Sequence, residues 1–271
     1  MSVPIAVSGG TAGIHVSFGE VVAAIALAAL AAAISYWRDA DLERDIGVAV
    51  VRSVVQLTAI GYVIKLIFDQ DNLAFVFLLL VVMVAFGTFT ANSRAKRVPG
   101  ALVPILIALS VAAATTLGLV VALGIFKPEA RYLVPVGGMV IGNAMTATAV
   151  ALNRLGDEMS DARPRIEATL ALGATSREAA APVVRNALRS GMITLVDSTK
   201  TTGVVFFPGT MVGMLLAGAD PTDAVRLQLI LLYALLGSVA IAALIATGLA
   251  YRNFFTPAHQ LRDLEPTGAT G

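Results

Sequence analysis

The chain has no cysteine, two histidines, one tryptophan and little charge: Lys, Arg, Asp and Glu together make up 14% of its 271 residues. The missing cysteine excludes disulfides and thiolate metal sites. Two histidines, His15 and His259, near opposite ends of the chain, supply no metal cluster. Soluble domains carry roughly 25% charged residues. With 57% hydrophobic residues and a mean hydropathy of +0.83, this composition belongs to a polytopic membrane protein. The net charge of +1 is uninformative as a total, because the placement of Lys and Arg matters more than their sum.

Apolar runs fall at 18–37, 46–68, 73–92, 101–125, 131–152, 192–217 and 224–250. Each is long enough to cross roughly 30 Å at about 1.5 Å per residue, which predicts an all-α chain of about seven spans in a single membrane domain over 1–271. Basic residues crowd the connections 38–45, 93–100, 153–191 and the tail after 250; the opposite connections hold only Lys127 and Arg131, with Lys65 and Arg226 just inside helix ends. The positive-inside rule then predicts an N-terminus outside and a C-terminus in the cytoplasm. No Lys or Arg precedes the first run, so it reads as a retained span rather than a cleaved signal. No internal repeat is visible.

Residues 153–191 form the one long polar stretch. Asp161 suits a cap, Pro164 a first turn and Gly173 a C-terminal stop, predicting a short helix over 164–172. Thr175 and Glu178 have capping-box spacing and open a second helix running up to the sixth span. Such a pair of helices on the cytoplasmic face reads either as an interfacial hairpin on lipid headgroups or as a docking surface.

Asp197 and Lys200, three residues apart in an apolar segment, share a helix face, and Arg52 enters the second span from the same side. From an entry near residue 192 they sit about 8 to 12 Å deep. Ionisable side chains at such depth face a bundle interior or a wet cavity, as a structural ion cluster or as a pathway lining. Ser198, Thr199, Thr201 and Thr202 extend the polar strip, and Asn143, Thr146 and Thr148 make the fifth span polar on one side. Gly138 with Gly142, and Gly209 with Gly213, have the spacing of close helix contact, within the chain or between copies. Pro208-Gly209 should break the sixth span in its outer third, a hinge suited to a gate. Met139, Met145, Met211 and Met214 are gap-fillers or soft-metal ligands, packing being the commoner use.

Glu167-Ala168-Thr169 followed by Gly173 resembles the EAA motif of ABC-transporter permeases, although Val183-Val184-Arg185-Asn186 departs from the importer pattern further on. The strings GNAMTATAVALNRL, EATLALGAT, VDSTKTTGVVFFPGTMVGMLLAG, DPTDAVRLQLILLYALLGSVA and FFTPAHQL resemble the FetB family of ABC permeases, which includes bacterial iron-export subunits and plant aluminium-tolerance proteins. The resemblance implies a homodimeric permease in the bilayer, most naturally the bacterial cytoplasmic membrane, exporting a solute in iron or metal homeostasis and binding no nucleic acid. It assigns Glu167, Ala168, Leu170, Gly173 and Ala174 to coupling with a separate ATPase, which would carry the ATP and Mg; this chain has no G-x-x-x-x-G-K-[ST] loop to cradle phosphates and binds no cofactor directly. Arg52, Asn143, Thr146, Asp197, Lys200 and Thr201 become the substrate pathway, with Pro208 and Gly209 as the gate hinge. Arg52, Asp197 and Lys200 sum to +1, which suits an anionic solute or a metal complex better than a bare cation, and the resemblance to the plant members adds a nucleotide sugar as an alternative. A self-sufficient carrier or channel is the reading from another class. No catalytic constellation at matching depth points to an enzyme.

Overall fold

A computed structural model describes residues 18–70 and 72–262. The described residues are helical apart from turns and two isolated bridges. Among the described residues nine α-helices run α1 Phe18–Trp37, α2 Glu43–Gln70, α3 Leu73–Arg94, α4 Leu102–Ala122, α5 Ala130–Asp161, α6 Arg163–Ala171, α7 Ser176–Thr201, α8 Gly209–Leu216 and α9 Pro221–Ala250, and a 3-10 turn follows at Tyr251–Phe254. The chain divides into two compact units, residues 1–71 with 212–224, and residues 72–211 with 225–271.

In the first unit α1 and α2 form a hairpin. Its turn is fixed by Ser35, whose buried hydroxyl accepts from the Leu42 amide at 3.0 Å and donates to Glu43 at 3.3 Å. Almost every described side chain of this hairpin is exposed. Arg52 lies exposed on α2.

The second unit has a core, and α5 is its axis, packed against α3, α4 and α7. Small residues permit the approach. A Cβ on Gly191 of α7 would lie 2.7 Å from the Ala147 carbonyl oxygen of α5, and one on Gly156 would lie 2.7 Å from Arg97 Cβ. One cluster joins Ala91, Ile105, Leu109, Leu152, Leu155, Ile166 and Val183; a smaller one joins Leu117, Val136, Val140, Ile141 and Leu231.

Among the described residues five helices are long and apolar enough to span a bilayer, within 43–65, 73–94, 102–122, 130–161 and 221–254, and α1 contributes a shorter apolar stretch over 21–37. Two expectations change. The sixth apolar run is not one helix: α7 stops at Thr201, α8 begins at Gly209, and 202–208 is irregular. Gly203 adopts φ +88 and donates to the Phe206 carbonyl at 2.8 Å, closing a tight loop bridged between Thr202 and Phe206. The Thr201 and Thr202 hydroxyls bond back to the Ser198 carbonyl at 3.1 and 2.8 Å, and the β-branched run that follows favours extended backbone. The fifth run is also longer than expected, because α5 continues past 152 through its charged end to Asp161, while the stretch 153–191 carries the short helix α6 and the start of α7 as expected.

Candidate functional site

The short helix α6 follows α5 without a side-chain cap. Asp161 ends α5, and the capping position falls to Ala162, which has no side chain able to accept from an amide. Pro164 does sit in the first turn, and Gly173 stops the helix at φ +89. Ile166, 1% exposed, fixes α6 to the main core. Glu167 and Ala168 point outward, Glu167 accepting from Arg163 at 2.9 Å, while Leu170 and Ala174 are half-buried. The capping box of α7 is complete: Glu178 N–H donates to the Thr175 hydroxyl, and the Glu178 carboxylate accepts from the Thr175 amide at 2.8 Å and from its hydroxyl. The Thr175 amide, and then its hydroxyl, hold the Glu178 carboxyl below the usual carboxylate range.

Above this turn α5 and α7 run antiparallel. Asn186 donates to Glu158 at 3.0 Å, and Gly191 rests on Ala147 and Ala151. Each step along α7 is matched by one step back along α5, so Asp197 lies level with residues 143–147 and Thr201 with 139–143. Side chains rotate about 100° per residue. Measured from the α5–α7 contact line, Met139, Asn143, Thr146 and Val150 of α5 fall on the same side of the pair as Ser190, Thr194, Asp197 and Thr201 of α7. Asn143, Thr146, Thr194, Asp197 and Thr201 are exposed there. The α5 apolar run ends near residue 152, which puts Asp197 about 10 Å deep and the helix break after Thr201 close to mid-bilayer.

The structure therefore brings Asn143, Thr146, Asp197 and Thr201 to one face, with Asp197 level with Asn143 and Thr146 and Thr201 about one turn further along. Lys200 pairs with Asp197 at 2.9 Å, both side chains more than half exposed, and belongs to the edge of that face. Thr148 does not join it: its side chain is fully buried in the core, without a hydrogen-bond partner. Ser190 and Thr194 complete the stripe at i, i+4, i+7, i+11 spacing. That spacing is visible in the sequence once α7 is known to be one helix from 176. Arg52 belongs to the other unit.

Pro208, half-buried, is the last residue of the interruption and Gly209 opens α8, so the break expected at this pair is longer than expected and reaches back to Thr202. Thr210 donates to buried Gln228 of α9 at 2.6 Å. Met139 packs on the smaller cluster and Met145 on the larger, so their sulfurs serve different neighbours; Met211 and Met214 are half-buried on α8. No group of three His, Asp or Glu able to hold a metal occurs among the described residues. His15 lies outside them. A Cβ on Gly138 would meet Met83 at 3.1 Å, whereas Gly142, Gly209 and Gly213 face open space.

Comparison with known families matches residues 18–255 to an uncharacterised protein family, UPF0014. The chain belongs to the UPF0014 family. Similar proteins include the "Probable iron export permease protein FetB" of Escherichia coli (strain K12), 36% identical over 239 residues covering 88% of this chain and 92% of the relative. "Protein ALUMINUM SENSITIVE 3" of Arabidopsis thaliana is 37% identical over 242 residues, covering 89% and 88%. "UPF0014 membrane protein YjkA" of Bacillus subtilis (strain 168) is 37% identical over 226 residues, covering 83% and 90%. No solved structure matches. The UPF0014 match takes in the whole of α5, α6 and α7, and hence both the outward polar face and the turn beneath it. Membership and the apolar helices together make the chain an integral membrane protein.

Proposed function

We propose that the chain is the permease subunit of an ATP-driven exporter, working as a homodimer with a separate ATPase on its cytoplasmic side. The observation that carries this reading is the continuity between α6 and the polar face. Ile166 roots α6 in the same core that holds α5 and α7, so a push on α6 moves the two helices bearing Asn143, Thr146, Thr194, Asp197 and Thr201. Glu167, Ala168 and Gly173 lie on its exposed side, where a motor subunit would bear.

Physical cost argues for the homodimer. An ion pair and irregular backbone at bilayer depth are tolerated where they face protein or water, not lipid. Asp197 and Lys200 are exposed, as are Val204 and Val205 of the irregular segment at 80% or more, so a second copy closing a wet pathway over this face accounts for both. Discontinuous helices interrupted near the midplane are a recurrent place for transported solutes to bind. The name of the Escherichia coli relative supports iron export as the cargo. The outward face itself carries hydroxyls, an amide and a carboxylate balanced by Lys200, so it is close to neutral, and an anionic solute draws its support from Arg52. The proposed topology keeps the N-terminus outside, the C-terminus and α6 in the cytoplasm and, in a bacterium, the chain in the cytoplasmic membrane.

Reconstitution with and without the ATPase subunit tests this. ATP-dependent efflux that needs both subunits and is lost in Glu167→Lys, with the variant still in the membrane, is the expected result. Transport by the chain alone would replace the proposal with a gradient-driven carrier. Single cysteines in this cysteine-free chain report topology: an impermeant reagent should label position 219 in intact cells and position 96 only after permeabilisation.

A further inference from the structure

The segment after α9 folds back beside α6. Phe254 and Phe255, 1% and 5% exposed, anchor it in the same core as Ile166 and Val183. Beyond them the chain forms a tight hairpin: Phe255 bridges antiparallel to Leu261, Thr256 N–H donates to the Gln260 carbonyl at 2.8 Å, and His259 N–H donates to the Thr256 carbonyl at 3.0 Å. His259, at the tip, adopts φ +59, a conformation that a non-glycine residue keeps only when its surroundings impose it. The tip is held to α7, where His259 Nδ1 lies 2.8 Å from the Ser176 hydroxyl in the first turn of that helix. The hairpin is thereby fixed at a set distance from α6. Between them is a groove of about 360 Å³, with Glu167, Leu170 and Ala174 on one wall and His259 and Gln260 on the other.

We infer that the C-terminal hairpin is the second wall of the ATPase docking site, and that the motor subunit inserts a loop between it and α6. The inference rests on the reading of α6 as the coupling helix. The groove is continuous with that surface, because Glu167 and Leu170 belong to both. Its surroundings select a protein over a lipid headgroup. The carboxylate on the wall, Glu167, is held by Arg163 at 2.9 Å, and Leu172, 90% exposed on the α6 turn, offers an apolar contact on the cytoplasmic side that a headgroup does not use. Exposed Arg177 and Arg262, adjoining Ser176 and the hairpin in sequence, provide a basic rim. The complementary loop has an apolar side chain for the groove and acidic side chains beside it for the rim.

Gln260 is exposed, so substitution there spares the core. A photo-crosslinking side chain at Gln260, and separately at Leu172, should be activated in native membranes, using the ATPase that co-purifies with the full chain and is identified by its G-x-x-x-x-G-K-[ST] loop. Crosslinks to the ATPase from both positions are the expected result, and Gln260→Trp, which fills the groove, should lower ATPase recovery at least tenfold. Crosslinks from Leu172 alone, with Gln260→Trp recovering normal ATPase, would overturn the hairpin's role and leave α6 as the coupling helix. Crosslinks from neither position would remove both. Crosslinks from Gln260 to lipid would place the hairpin on the membrane surface and overturn the inference.

Discussion

The helices α2 and α5 are both long and apolar, yet none of α2's most apolar stretch is buried within the chain and half of α5's is. Hydrophobicity does not separate them, because lipid is as apolar as a leucine side chain and gives helices no hydrophobic reason to associate. Residue size does. Across its middle α5 carries Gly137, Gly138, Ala144, Ala147, Thr148 and Ala151, which let α3, α4 and α7 approach, whereas α2 presents Val48, Val51, Val54, Val55 and Leu57 outward. Inside a bilayer, packing follows from close approach, and apolar bulk on its own marks a surface left for lipid or for another chain.

The largest effect that follows is at Gly191. Its neighbour is the backbone carbonyl of Ala147, which cannot move aside, so Gly191→Leu should destabilise by about 3 kcal/mol or more. Gly61→Leu on α2, where nothing lies within 4 Å, should change the unfolding temperature in detergent hardly at all. Equal losses at the two glycines would mean that α2 is packed as α5 is.

Next comes the polar face. Because Asp197 is more than half exposed, Asp197→Asn should keep stability within about 0.5 kcal/mol of the parent while ATP-driven transport falls about tenfold or more. A loss of stability matching the loss of transport would return the Asp197–Lys200 pair to a purely structural role.

A smaller effect concerns the α6–α7 turn. Thr175→Ala removes an N-cap and should cost about 1 kcal/mol. Glu178 has a lowered pKa in the folded chain, so its contribution is full above the ordinary carboxylate value of about 4.3 and is lost as pH falls below that through the lowered folded value. Hydrogen-exchange protection of residues 175–180, taken relative to the intrinsic rate at each pH, should fall over that acid range in the parent and show no such step in Thr175→Ala.

These regions were unequally legible in the sequence. The box from Thr175 to Glu178, the stop at Gly173 and the apolar spans were readable because the physics acts between residues one turn apart or along one run. The break expected at Pro208 and Gly209 begins earlier, after Thr201, since the apolar run continues through Gly203 and hydropathy does not register backbone conformation. Asp161 was wrongly read as a cap, because α5 extends about two and a half turns further than its apolar run suggests and absorbs it. Thr148 was grouped with Asn143 and Thr146, though it turns into the core. Ser190 and Thr194 needed the register fixed by Gly191 before they joined Asp197, and His259 meets Ser176 from 83 residues away, a pairing that no local pattern announces.

The outward face of α5 and α7 is the heart of the transport reading, and Thr194 is its most direct probe: exposed, level with the polar residues and outside every ion pair. In the cysteine-free chain, with the ATPase present in proteoliposomes, Thr194→Cys should react with a small membrane-impermeant thiol reagent. The rate should change when ATP is added, and the modified protein should no longer transport. Reaction only with a lipid-soluble maleimide, with transport intact afterwards, would show that this face meets lipid rather than a wet pathway.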